Sequence, residues 1–137
     1  MISLQTGVGM ASVQAELTDK AELGIDGAFL ELQAFLGERV SAAESVREHH
    51  SHGESTHAPG MPDLVCFPQS TEEVSRIVQV SQRHRLPVVP FGAGTSLEGH
   101  VHAVRGGISI DLRQMNRILR VSPEDMDATV EAGVTRK

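Results

Sequence analysis

The sequence predicts an α/β fold with a small, mostly parallel sheet flanked by helices, and three observations carry that prediction. Leu64-Val65-Cys66-Phe67 and Leu86-Pro87-Val88-Val89-Pro90-Phe91 are short apolar runs of the buried-strand type. Between them, Ser70-Thr71-Glu72-Glu73 opens a stretch with Val74, Ile77, Val78 and Val80 on one helical face. Strand, helix and strand in that order make a βαβ unit, a crossover that is almost always right-handed. Further on, Ile108, Ile110 and Leu112 alternate with Ser109 and Asp111, predicting a third strand with one polar face.

Each element has its own signal. Residues 1–25 read as a lead-in with helical tendency at 11–23. Phe29, Leu30, Leu32, Phe35 and Leu36 form an amphipathic stripe that Gly37 ends as a C-terminal cap. Ser41-Ala42-Ala43-Glu44 has the capping-box form and predicts a second short helix through about His49. A polar loop from Ser51 to Pro62 follows. The helix opened by Ser70 ends in Arg83-His84-Arg85, cations that suit the negative end of its dipole. Ile118 to Val121 and Ala128 to Glu131, joined by Ser122-Pro123-Glu124-Asp125, read as a closing pair of strands.

The residues after the second strand, Gly92-Ala93-Gly94-Thr95-Ser96-Leu97-Glu98-Gly99-His100, form a glycine-punctuated loop. Gly92, Gly94 and Gly99 are expected to take positive φ and to let backbone approach a ligand. Successive N–H groups in such a turn converge on an anion, and Thr95 and Ser96 add two hydroxyls. A dinucleotide fingerprint is excluded, because Leu97 stands three residues after Gly94. A Walker A loop is excluded too: Gly94 and Gly99 have its spacing, but His100 and Val101 occupy the Lys and Ser/Thr places. Taken alone, the loop is equally compatible with a connection that binds nothing.

Composition removes several classes of function. The 137 residues carry a formal net charge of −6, which argues against general binding to a nucleic-acid backbone. No apolar run approaches the ~20 residues that span a bilayer. The first residues lack a secretory pattern and are too acidic for a transit peptide. The expected location is the cytoplasm, with peripheral attachment to the inner face of a membrane as an option. Cys66, the single cysteine, lies in an apolar run and is expected to pack as a small hydrophobe.

Four blocks in order resemble a known family. They are Pro62 to Val74, Pro87 to His100, Gly106 to Leu112 with Met115 to Leu119, and Ala128 to Val134. This segment is similar to the FAD-binding domain of flavoproteins related to vanillyl-alcohol oxidase, the PCMH type. The form Gly-x-Gly-Thr-Ser-Leu-Glu-Gly-His is most similar to cytochrome-linked D-lactate dehydrogenases and the glycolate oxidase FAD subunit. Val46 to His50, with Glu54, Ser55 and His57, looks like the same branch.

The resemblance implies the first subdomain of a PCMH-type FAD-binding domain: a helical lead-in over 1–57, then half of the FAD domain over 58–137. It implies that Pro90, Phe91, Gly92, Ala93, Gly94, Thr95, Ser96, Gly99 and His100 bind FAD. Thr95 stands where many members carry the histidine that bonds flavin covalently, so FAD is expected to be non-covalent. Implied partners are a small 2-hydroxy acid and an electron acceptor, namely a cytochrome, a quinone or an electron-transfer flavoprotein. Family members are several times larger, so the chain is expected to be an N-terminal fragment or a truncated gene product. No catalytic base is assigned.

Competing readings are weaker but remain open. His49, His50, His52 and His57 crowd together with Glu54, all good zinc ligands by type. The predicted loop offers them no scaffold, so no metal is expected, and His84 and His102 read as surface residues. Ser96, Glu98 and His100 have the residue types of a nucleophile triad without any sign of its geometry. Asp111 and Arg113 read as structural. A non-catalytic nucleotide-binding or interaction module is the alternative function, with a metal-binding regulator behind it.

Overall fold

The computed structural model describes residues 24–136. The helical tendency read at 11–23 lies outside them.

Helix α1, Ile25–Leu36, buries Ala28, Leu32 and Leu36, a stripe spaced by four residues. Gly37 closes it at φ 60°, its N–H donating to the Gln33 carbonyl. After a 3-10 turn over Gly37–Arg39, strand β1, Val40–Ser41, pairs antiparallel with β2, Leu64–Cys66. Ser41 therefore belongs to a strand and does not cap the next helix. Its hydroxyl accepts from the Ala43 N–H at 3.2 Å, and α2, Glu44–His49, begins after Ala43.

Helix α3, Thr71–His84, starts as its sequence dictates. Ser70 Oγ accepts from the Glu73 N–H at 3.2 Å. The Glu73 carboxylate in turn accepts from the Gln69 N–H and holds Arg39 through two 2.6 Å hydrogen bonds. The buried stripe runs Ile77, Val80, Ser81, His84. Val78, expected on that stripe, is 45% exposed, because one residue past Ile77 the helix has turned by about 100°. His84, expected at the surface, is buried for the complementary reason: it lies two turns after Ile77 on the same face. Its Nδ1 accepts from the Gly24 N–H at 3.1 Å and its Nε2 meets Glu31 at 2.8 Å.

Strands β3, Val88–Phe91, and β4, Ile108–Asp111, complete a four-stranded sheet in the order β1-β2-β4-β3. The parallel core is β2, β4 and β3, as predicted, but β2 and β3 are not neighbours, because β4 is inserted between them. This placement corrects the expected polar face of β4. A central strand covered on both sides buries all four residues, Ser109 and Asp111 included. α1 and α3 pack together and share one core with β1, β2 and β4, so elements before and after residue 58 stabilise each other. Each fully buried Leu or Ile there contributes roughly 1.5–3 kcal/mol.

β5, Ile118–Ser122, and β6, Asp127–Val130, form a separate antiparallel hairpin. Ile118, Leu119, Val121 and Val130 on it are exposed.

Candidate functional site

Because β2, β4 and β3 are parallel, their carboxyl ends lie along one edge of the sheet. Phe67, Asp111 and Phe91 gather there, with Phe91 in register with Asp111. In open parallel sheets this is the edge where ligands bind. The glycine loop leaves the sheet at it, directly after Phe91.

Pro90 is exposed and Phe91 buried at the end of β3. Beyond them, Gly94 and Gly99 take φ of 75° and 72°, as expected. Gly92 does not: its φ lies outside the left-handed region, so backbone conformation does not demand glycine there. A Cβ built on Gly92 meets nothing within 4 Å, so neither does packing. On Gly94 a Cβ would come 3.1 Å from Phe91 Cζ; the loop folds back over that ring. Ala93, Thr95 and His100 are exposed, while Ser96 and Gly99 are half-buried.

Among the described residues, none of the five N–H groups from Gly92 to Ser96 has a hydrogen-bond acceptor in the chain. The Gly94 carbonyl, by contrast, accepts from the Glu54 N–H at 3.3 Å. Ser96 Oγ lies 3.1 Å from His100 Nδ1, while Glu98 is exposed. Open space in front of Gly92 and a run of unpartnered amides fit the pyrophosphate of a dinucleotide.

The histidine-rich loop and the glycine loop, separate in sequence, are packed on each other. A Cβ on Gly53 would sit 2.6 Å from the Gly94 carbonyl oxygen, and one on Gly99 would sit 3.0 Å from the His57 ring. His102, also expected at the surface, is buried, with Nδ1 3.0 Å from the Ala58 carbonyl. Among the described residues, no three His, Cys, Asp or Glu side chains converge as metal ligands.

His50, expected in a loop that is solvated or lines the flavin or substrate entrance, is 1% exposed. Its Nδ1 lies 2.7 Å from the Val46 carbonyl and its Nε2 2.9 Å from Asp111 Oδ2. Its ring meets Phe91 at 4.4 Å between centroids and Phe67 edge-on at 5.8 Å. Asp111 also accepts from the backbone and guanidinium of Arg113. Burial alone would raise the Asp111 carboxyl, but hydrogen bonds from His50 and Arg113 outweigh it and hold the group far below the usual carboxylate range. Beside it, Phe67, Asp111, Arg113, Gln114 and Asn116 line a depression of about 350 Å³. Nothing local in the sequence announces this cluster, since its members come from the ends of α2, β2, β3 and β4.

Comparison with known proteins follows the same lines. The family described as FAD binding domain matches residues 62–137. A Danio rerio protein named "Probable D-lactate dehydrogenase, mitochondrial" is 49% identical over 100 residues, covering 73% of this chain and 20% of that protein. The "Glycolate oxidase subunit GlcD" of Bacillus subtilis is 39% identical over 85 residues, 62% of this chain and 18% of that one. The solved structure of p-cresol methylhydroxylase superposes with a TM-score of 0.70 at 25% identity, over 80% of this chain and 22% of that one. The chain thus spans about a fifth of the length of the relatives it matches. Its fold is that of the PCMH-type flavoproteins.

Proposed function

The chain belongs to the FAD binding domain family, and from that premise we propose that it is the pyrophosphate-holding part of a flavin-dependent 2-hydroxy-acid dehydrogenase. The observation that carries this reading is the set of unpartnered amides from Gly92 to Ser96 at the sheet's carboxyl edge, with open space at Gly92. Those N–H groups hold the pyrophosphate, assisted by the Thr95 and Ser96 hydroxyls. Pro90 and Phe91 seat the loop on β3, Ala93 continues it, and Gly99 and His100 close it toward the flavin.

When bound, FAD supplies the hydride acceptor for oxidation of a hydroxy acid to a keto acid, the electrons passing on to a cytochrome, quinone or electron-transfer flavoprotein. The names of the Danio rerio and Bacillus subtilis relatives support a small 2-hydroxy acid, D-lactate by the first and glycolate by the second. The first of these also supports a mitochondrial rather than a general cytoplasmic site of action. Thr95 at the attachment position supports non-covalent FAD. Residues 58–137 form the first half of the cofactor domain, with 1–57 as its lead-in.

Titration of the 15N-labelled chain with FAD tests the reading. Weak binding is expected, because half a site must still offset the entropy of association. Amide shifts should centre on Gly92 to Ser96, and Gly92→Ala should remove them while leaving the melting temperature unchanged. Shifts elsewhere, or equal shifts in the variant, would sink the assignment. Tight stoichiometric binding by this chain alone would favour the non-catalytic binding module instead.

A further inference from the structure

We propose that His50 is a positioning residue for the cofactor loop, clamped between Val46 and Asp111 and acting on Gly94 through Phe91 and Glu54. The proposal rests on the reading of that loop as a pyrophosphate cradle.

Both partners of the His50 ring are acceptors. The Val46 carbonyl and the Asp111 carboxylate hold its two nitrogens at 2.7 and 2.9 Å, so the ring is fixed from both sides. The charged and titratable groups around it are Asp111 and Arg113 from the end of β4, and His49 from its own helix at 5.2 Å. Phe67 and Phe91 pack around the ring.

Two routes lead from His50 to Gly94. The first is steric: the His50 ring supports Phe91, and Phe91 Cζ lies under Gly94. The second runs along the chain, where the segment leaving His50 delivers the Glu54 N–H to the Gly94 carbonyl. A trans peptide points its C=O and N–H in opposite directions. Capture of the Gly94 carbonyl therefore aims the Thr95 N–H away from Glu54, and His50 secures both contacts that fix that peptide.

Amide NMR of the full 137-residue chain tests this. His50→Gln keeps a donor toward Asp111 and loses the contact with Val46. It should move the Gly94 and Thr95 amides, speed Glu54 N–H exchange about tenfold, and weaken the FAD-induced shifts. Phe91→Leu leaves the clamp intact and should disturb the same loop amides. Loop amides unchanged in both variants overturn the proposal. If His50→Gln does not fold, Phe91→Leu decides. If the wild-type chain shows no FAD-induced shift, the cofactor reading fails, and the loop amides still settle the role of His50.

Discussion

Gly107 lies so close to Pro87 that a Cβ on the glycine would overlap the proline carbonyl oxygen. That oxygen already accepts from the Ile108 N–H at 2.8 Å, and the Gly107 carbonyl accepts from Asp63 and Leu64 at 2.8 and 3.1 Å. The Gly107 N–H donates to Asp63 Oδ2 at 2.6 Å. One residue without a side chain thus joins the amino ends of β2, β3 and β4, opposite the candidate site.

Gly107→Ala should therefore be severe. Its φ of 88° and the Pro87 overlap act together, and a loss of about 3 kcal/mol or more is expected in urea unfolding. Gly92→Ala, with open space and no left-handed φ, should stay within about 0.5 kcal/mol of wild type. Equal effects at the two positions would mean that the sheet edge is not built as described.

Acid should destabilise the protein through Asp111. Its carboxyl binds a proton less readily folded than unfolded, so the unfolded chain takes up more protons in acid. The stabilisation is complete above the unfolded carboxylate value of about 4 and is lost as pH falls toward the depressed folded value. Glu73, lowered by its hydrogen bonds from Arg39, adds the same sign. Asp111→Asn should cost about 1–3 kcal/mol at neutral pH, by removing the carboxylate that His50 and Arg113 share. Its stability should also fall less steeply below pH ~4. An unchanged acid slope in the variant would refute the assignment.

Cys66 should be silent toward thiol reagents at neutral pH. Burial in the core pushes its thiol up to about 12, leaving almost no thiolate. Labelling should appear only as urea unfolds the chain, tracking the loss of the sheet. Fast labelling without denaturant would place β2 outside the core.

What was legible in the sequence was local. Ser70 capping α3, Gly37 ending α1 and the apolar run into the glycine loop each depend on neighbours within about one turn of chain. The strand β1 was not legible, because two residues, Val40 and Ser41, become a strand only when β2 supplies their partners. The alternation at Ser109 and Asp111 was visible but misleading. Period two implies an open face only if nothing covers it, and insertion of β4 between β2 and β3 covers both.

The sequence by itself therefore determined the parallel α/β character, the elements with local caps and the place of the glycine loop after β3, since propensity and periodicity act over a few residues. Tertiary structure alone decided that β4 is central, that the histidine-rich segment packs on the glycine loop, and that His50, His84 and His102 are buried. The physical reason is separation along the chain: strands pair only on folding, and the three imidazoles meet hydrogen-bond partners 61, 53 and 44 residues away, at Asp111, Glu31 and Ala58.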